Sequence, residues 1–307
     1  CGDSGVSADC ITRAAFSAVS PWRSHRMVMA GCYGAKMSSV CEDALRRRAM
    51  QHRRGVLAGI AGIAGLAGLP WLGTGCALRP HRPGAGPAHA DIVPFSASPA
   101  DGGLPRGWEP YRVRRDIPET RYFTAEADGR TVLRAVTDRG ASGLRCALDA
   151  DPALRPWLHW RWRAETLPAG ARADGLDLDD SPARIVLAFD GDIRTLPLSD
   201  RVFFEQVELF TGQRLPYATL MYVWDATLPE GRIVPYARSG RILKWVLRSG
   251  PQGLGQWLDF RRHVVDDFRT AFGEAPGRLV SVGVLTDADD LRQPMQADYG
   301  DVSLSAA

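Results

Sequence analysis

Two runs of aspartate mark where this chain could do chemistry. The first, "DGLDLDDSPAR", holds Asp174, Asp177, Asp179 and Asp180 ahead of Arg184; the second, "TDADD", holds Asp287, Asp289 and Asp290 and is followed by Asp298 and Asp301. Carboxylates gathered in a loop suit a hard cation such as calcium, which takes about six to eight oxygen ligands. The spacing is not that of an EF-hand, because no Glu closes the first loop. The expected metal set is Asp179, Asp180, Asp287, Asp289 and Asp301, with a structural calcium as the one cofactor these residues suggest. The alternative for either run is a solvated turn whose aspartates cap backbone groups. Arg184 alternates away from Ile185 and Leu187, so it is expected to meet these aspartates or an anionic group on a ligand.

Aromatic residues are the second chemical feature. An exposed Trp or Tyr face can hold a sugar ring, and a sandwich core buries the same residue types. Trp160 and Trp162 share an apolar face and read as core, whereas Tyr222 and Trp224, with Tyr217 and Tyr236 nearby, are the expected exposed platform. Catalysis would have to come from paired carboxylates, Glu205 with Glu208 or Asp266 with Asp267, acting as glycosidase acids. Both pairs fall where a helix normally shows its polar face to water. Ser249 in "RSG" lacks the setting of a hydrolase nucleophile, and His159 and His263 are the only histidines after residue 90, which leaves little material for a zinc site or a Ser-His-Asp triad.

The elements that must position these residues are mostly strands. In "WLHWRWRAE", Leu158, Trp160, Trp162 and Ala164 fall on one face and His159, Arg161, Arg163 and Glu165 on the other, the period of a half-buried strand. "ARIVLAF", "TLMYVW" and "RILKWVL" repeat the pattern. "RYFTAEADGRTVLRAVT" reads as a hairpin turning at Asp128-Gly129. About ten strands predict an all-β fold, an antiparallel two-sheet jelly-roll sandwich over residues 91–307. Two stretches change period and predict inserted helices. One runs through "LSDRVFFEQVELFTG" with Ser199 as N-cap and Gly212 as stop; the other spans "GQWLDFRRHVVDDFRTAFGE", with Trp257, Phe260, Val264, Phe268 and Phe272 as its apolar stripe.

The start of the chain reads differently. Arg53-Arg54 precede an uncharged run from Gly55 to Leu72, the layout of a twin-arginine export signal, so residues 50–90 are expected to be signal peptide and tether. Ala88-His89-Ala90 would release a soluble chain at Asp91, and Gly73-Thr74-Gly75-Cys76 offers a lipidation site on Cys76 instead. Residues 1–49 read as a disordered or mis-started leader. These features place the protein in the periplasm or outside the cell, touching membrane only through the signal or a lipid on Cys76. The formal charge is +3, but its basic excess lies before residue 91, where the arginines precede the export run; after it acidic residues outnumber basic ones, which leaves no nucleic-acid footprint. Cys146 is the only cysteine after residue 90, so no disulfide forms there.

The segments "DDSPARIVLAFDG", "MYVWDATLPEG", "RSG" followed by "WLDFRRHVVDDFRTAFGEAP", and "VGVLTDADDLRQPMQADYGDVSL" together resemble the bacterial domain-of-unknown-function family 3047 over most of the chain after Asp91. The family pattern has a Thr-Gly pair after the acidic turn, where this chain reads Leu291-Arg292-Gln293. The resemblance implies an exported jelly-roll domain without an assigned activity. The last two strands also look like the closing strands of carbohydrate-binding modules. The expected function is a non-catalytic glycan-binding module of the cell envelope, its ligand a polysaccharide or peptidoglycan, its binding residues Tyr217, Tyr222, Trp224, Tyr236 and Arg184. A carboxylate-based glycan hydrolase and an envelope protein-interaction domain are the alternatives.

Overall fold

The computed structural model describes residues 88–114 and 116–307, all within one compact unit. The export signal, Cys76 and the leader lie outside the described residues, apart from Ala88-His89-Ala90. No helix among the described residues is long and apolar enough to cross a membrane.

Period-two alternation becomes two facing sheets. The seven-stranded sheet has the order β1 (Glu109–Arg112), β4 (Ala141–Ala150), β11 (Leu279–Asp287), β6 (Ser181–Phe189), β7 (Ala218–Asp225), β9 (Ser239–Ser249) and β8 (Ile233–Tyr236). The second sheet has the order β10 (Leu258–His263), β5 (Trp157–Ala164), β12 (Met295–Tyr299), β3 (Arg130–Thr137) and β2 (Arg121–Ala127), with β13 (Ser303–Ser305) also on β5. This is the expected jelly-roll sandwich, antiparallel throughout except that β7 and β9 run parallel. Their connection carries β8, which returns antiparallel on the far side of β9.

The core forms where the inward rows meet. Trp160 stacks between Phe260 of its own sheet and Tyr222 of the other, at centroid separations of 5.1 and 5.2 Å. Trp162, Tyr222, Trp224, Tyr299 and Phe189 are fully covered, each such ring contributing about 2–3 kcal/mol through apolar burial. Buried phenols need partners, and they find them across the sandwich. Tyr299 donates to the Leu285 carbonyl at 2.9 Å, and Tyr122 to that of Ser142 at 2.7 Å.

Two helices interrupt the strands. Helix α1 (Leu198–Thr211) starts two residues earlier than a Ser199 cap would give, after Pro197, and stops at Gly212 with φ of 73°. It buries Phe204, and it leaves Leu198, Leu209 and Phe210 exposed. The second departs further from expectation: helix α2 is only Val264–Phe272, and the residues before it form strand β10. Six residues of alternation, with Leu258 and Phe260 packed on the core and Asp259 and Arg261 on the outer side, pair with β5 and outweigh the helical stripe. His263 ends the strand and caps α2 by accepting the Asp266 N–H. Trp257 is thereby excluded from the helix and placed in the loop before β10.

Candidate functional site

The second sheet has a gap. Strand β12 pairs with β3 only as far as Tyr299 opposite Leu133, so residues 130–132 continue past its end; on the other side β13 pairs with β5 only at residues 157–159. Gly300 and Asp301 carry the chain through the opening. A cleft of about 630 Å³ lies here, bordered by the start of β3, the middle of β5, the start of β10 and the Gly300-Asp301 segment. Gly300 is required by close approach: its N–H donates to the Arg161 carbonyl at 2.9 Å, and a Cβ would overlap the Arg161 side chain. Asp301 is fixed by the Ser96 N–H and hydroxyl, at 2.9 and 2.5 Å.

The cleft has one aromatic wall. The loop delivering Trp257 turns through Gly250, Gly253 and Gly255, all at positive φ, where a side chain would be strained. Opposite it, Asp128 and Gly129 have φ of 51° and 73°, the left-handed pair that a two-residue hairpin turn needs. The turn aims the Asp128 carboxylate at the Trp257 indole N–H, 2.7 Å away. The Arg161 and Arg163 guanidinium carbons lie 4.3 and 5.0 Å from the indole centroid. Arg163 is itself held at 2.6 Å by Asp298, whose other oxygen takes Arg134 at 2.7 Å. The outer face of β5 and β10 continues this pattern. Arg261 sits 3.6 Å over the Trp157 ring, whose other neighbour is the edge of His263.

Both indoles are partly exposed and held by cation–π contacts, with a hydrogen bond to Asp128 added at Trp257 and the edge of His263 at Trp157. A flat apolar ring beside guanidinium donors and carboxylate acceptors suits a ligand with both apolar faces and many hydroxyls. His159, its Nε2 3.0 Å from the Ser305 hydroxyl, and the exposed carboxylate of Asp259 complete the polar rim.

The residues singled out from sequence land elsewhere, with one exception. Tyr222 and Trp224 are completely buried and form no platform; inward register on β7 puts both between the sheets, where Tyr222 donates to Asp267 at 2.6 Å and Trp224 to the Gly250 carbonyl at 2.9 Å. Tyr217 is half-buried beneath Arg241 and donates to Glu274. Tyr236 is partly exposed at the sheet edge against Phe203. The exception is Asp301, which lines the cleft and is not near the other aspartates of its proposed metal set, because β11 and β12 belong to opposite sheets.

The remaining aspartates do come together. The Asp179 N–H donates to Asp290, the Asp290 and Leu291 N–H groups donate to Asp180, and the Ser181 N–H donates to Asp287. The positive charges among them are side chains. Arg184, 4% exposed, lies 3.0 Å from Asp287 and 3.3 Å from Asp179, and Lys244 lies 2.5 Å from Asp179. Burial raises Asp287 well above the usual carboxylate range and also raises Asp180 and Asp290. Burial lowers Lys244 despite Asp179 beside it; it also pulls on Arg184, where the surrounding carboxylates prevail and hold it above the usual arginine value. So placed, Arg184 serves the network rather than a ligand anion. Among the described residues, no group of three or more His, Cys, Asp or Glu is arranged to hold a metal ion.

Three of the four paired carboxylates have partners, and Glu205 is exposed on the helix surface. Glu208 holds Arg214 at 2.7 Å, and Asp267 is buried under Tyr222 and Arg262 while Asp266 faces outward to His263. Trp257 is the residue that sequence reasoning misplaced. The alternation Leu258-Asp259-Phe260-Arg261 was the signal that could have moved it out of a helical stripe.

A family model described as Protein of unknown function (DUF3047) matches residues 106–303. No curated protein matches the chain. Among solved structures, the chain is similar to the xyloglucanase domain of NopAA from Sinorhizobium fredii (5% identity, TM-score 0.38, covering 68% of this chain and 99% of that one). It is also similar to the family 11 carbohydrate-binding module from Clostridium thermocellum, solved with a mixed-linked tetrasaccharide (9%, 0.33, 68% and 94%). The likeness to the Endo-D glycoside hydrolase domain from Streptococcus pneumoniae R6 (8%, 0.31) covers 65% of this chain but spans only 22% of that one. Likenesses at this level assign no ligand.

Proposed function

The chain belongs to the DUF3047 family of proteins of unknown function, and on that premise we propose that its sandwich is a non-catalytic glycan-binding module that binds at the cleft beside Trp257. The observation that carries this reading is the Trp257 indole itself. It is a large aromatic side chain kept at the surface, fixed in orientation by Asp128 and by two arginines, and facing a cleft rimmed with hydrogen-bonding groups. An ordered ring loses little conformational freedom when a sugar stacks on it, which favours affinity. The export signal read in residues 50–90 makes the partner a glycan of the envelope or the exterior, a polysaccharide or peptidoglycan.

The absence of catalysis is part of the reading. A hydrolase needs two carboxyl groups facing one sugar linkage about 5 to 10 Å apart. In this cleft Asp128 is engaged by Trp257 and Asp301 by Ser96, which supports a binding role for the site. Isothermal titration of the full chain against soluble polysaccharides and peptidoglycan fragments tests both parts. Trp257→Ala should weaken binding by roughly thirtyfold, the effect of losing about 2 kcal/mol at an aromatic hot spot, and no reducing ends should accumulate. Binding that is indifferent to Trp257 would remove the site, and product release would replace the module with an enzyme.

A further inference from the structure

The charges that line the cleft are not all paired with one another. Three arginines, Arg130, Arg161 and Arg261, and three aspartates, Asp128, Asp259 and Asp301, border it. The aspartates are largely committed. Asp128 accepts the Trp257 N–H and lies 3.5 Å from Arg163, and Asp301 accepts both polar hydrogens of Ser96. Asp259 stands 3.9 Å from Arg161. Two arginines remain. Arg130, exposed at the start of β3, has no polar partner among the described residues, and Arg261 lies over the Trp157 ring without a carboxylate.

A guanidinium carries five N–H donors in a rigid fork that matches a carboxylate with two parallel bonds, whereas sugar hydroxyls use it singly and without charge. Stacking on Trp157 also holds the Arg261 fork at a defined place, so less freedom is lost when it binds. We propose that the cleft selects acidic glycans, with Arg130 and Arg261 each receiving a uronate carboxylate of the bound chain. This rests on the glycan-binding reading above and adds the class of sugar to it. The competing description is that both arginines are simply solvated surface charges, in which case removing them changes nothing in recognition.

The test uses matched pairs that differ only in charge. The full chain is titrated with oligogalacturonate and oligomannuronate, with the methyl ester of each, and with a sulfated oligosaccharide. The expected result is binding of a free acid at least about tenfold tighter than its ester, as charge-assisted bidentate contacts would give, with the preference falling as salt rises. Arg130→Gln and Arg261→Gln should each erase much of that preference, weakening the free acid far more than the ester, while leaving the thermal unfolding temperature unchanged. Equal binding of acid and ester would overturn the acidic selectivity and leave glycan binding standing. A sulfated chain held as tightly as the uronate would overturn the carboxylate assignment. Failure of every acid and ester to bind would overturn the acidic selectivity, and flat titrations with the polysaccharides and peptidoglycan fragments as well would overturn the glycan-binding reading. Acid binding that survives Trp257→Ala but vanishes at moderate salt would reduce the arginines to a nonspecific attraction.

Discussion

At the residue scale, the two halves of this protein's charge chemistry separate by burial. Arg184 and Lys244 sit inside an excess of carboxylates that lose hydration on burial and, to a lesser degree, repel one another, so Asp180, Asp287 and Asp290 bind their protons more tightly folded than unfolded. A carboxyl group whose folded pKa is raised binds extra protons in the native state, so its stabilising effect is complete below the unfolded value, about pH 4, and is lost as pH rises through the folded value. Asp290→Asn keeps an oxygen to accept the Asp179 N–H and removes one of the repelling charges. Thermal unfolding of this variant should match the native chain near about pH 4 and exceed it near about pH 7; a native chain that is the more stable at neutral pH would show that Asp290 attracts more than it repels. The aspartate runs were legible in the sequence as a cluster. Arg184 was legible as one partner for them, and it does pair with Asp179 and Asp287; Lys244 was not, because it lies about 65 residues along the chain from Asp179 and meets it only through the sheet order.

At the element scale, strand alternation carried most of the fold. Strands β2, β3, β5, β6, β7 and β9 lie where period-two segments put them, and the Asp128-Gly129 turn forms as its residue types demand. The failure at residues 257–263 has a physical cause. Trp257, Phe260, Val264 and Phe268 satisfy a helical period while Leu258 and Phe260 satisfy a strand period, and the choice belongs to whichever neighbour has open hydrogen bonds. The edge of β5 supplies them. Close packing between strands is equally a matter of neighbours. Gly143 in β4 lies under the Tyr111 ring, and a Cβ there would stand 2.5 Å from the Val284 carbonyl of β11. Gly143→Ala should therefore cost about 1–3 kcal/mol, as overpacking does, and denaturant titration would show it as a lower midpoint with an unchanged slope. A neutral result would mean that β1 can lift away from the sheet without loss.

At the scale of the whole molecule, side-chain cations and backbone N–H groups meet the carboxylates of the acidic loops. Calcium and a chelator should each leave the unfolding temperature of the full chain unchanged; a rise with calcium that the chelator reverses would show that an ion joins or displaces these partners. What the sequence alone determined is the set of properties that depend on near neighbours: a strand-rich sandwich, a helix ending at Gly212, a left-handed turn at Asp128-Gly129, and family membership written in several separated motifs. Alternation states that one face of a strand is buried, but not which aromatic residues end between sheets and which stand at a gap. Tyr222 and Trp224 look as able to bind a sugar as Trp157 and Trp257 until the register of β7 against β6 turns them inward. The cleft itself belongs to no segment. It exists because β12 stops short between β3 and β5, a vacancy defined by three strands at once, and only the tertiary structure brings their ends to one place.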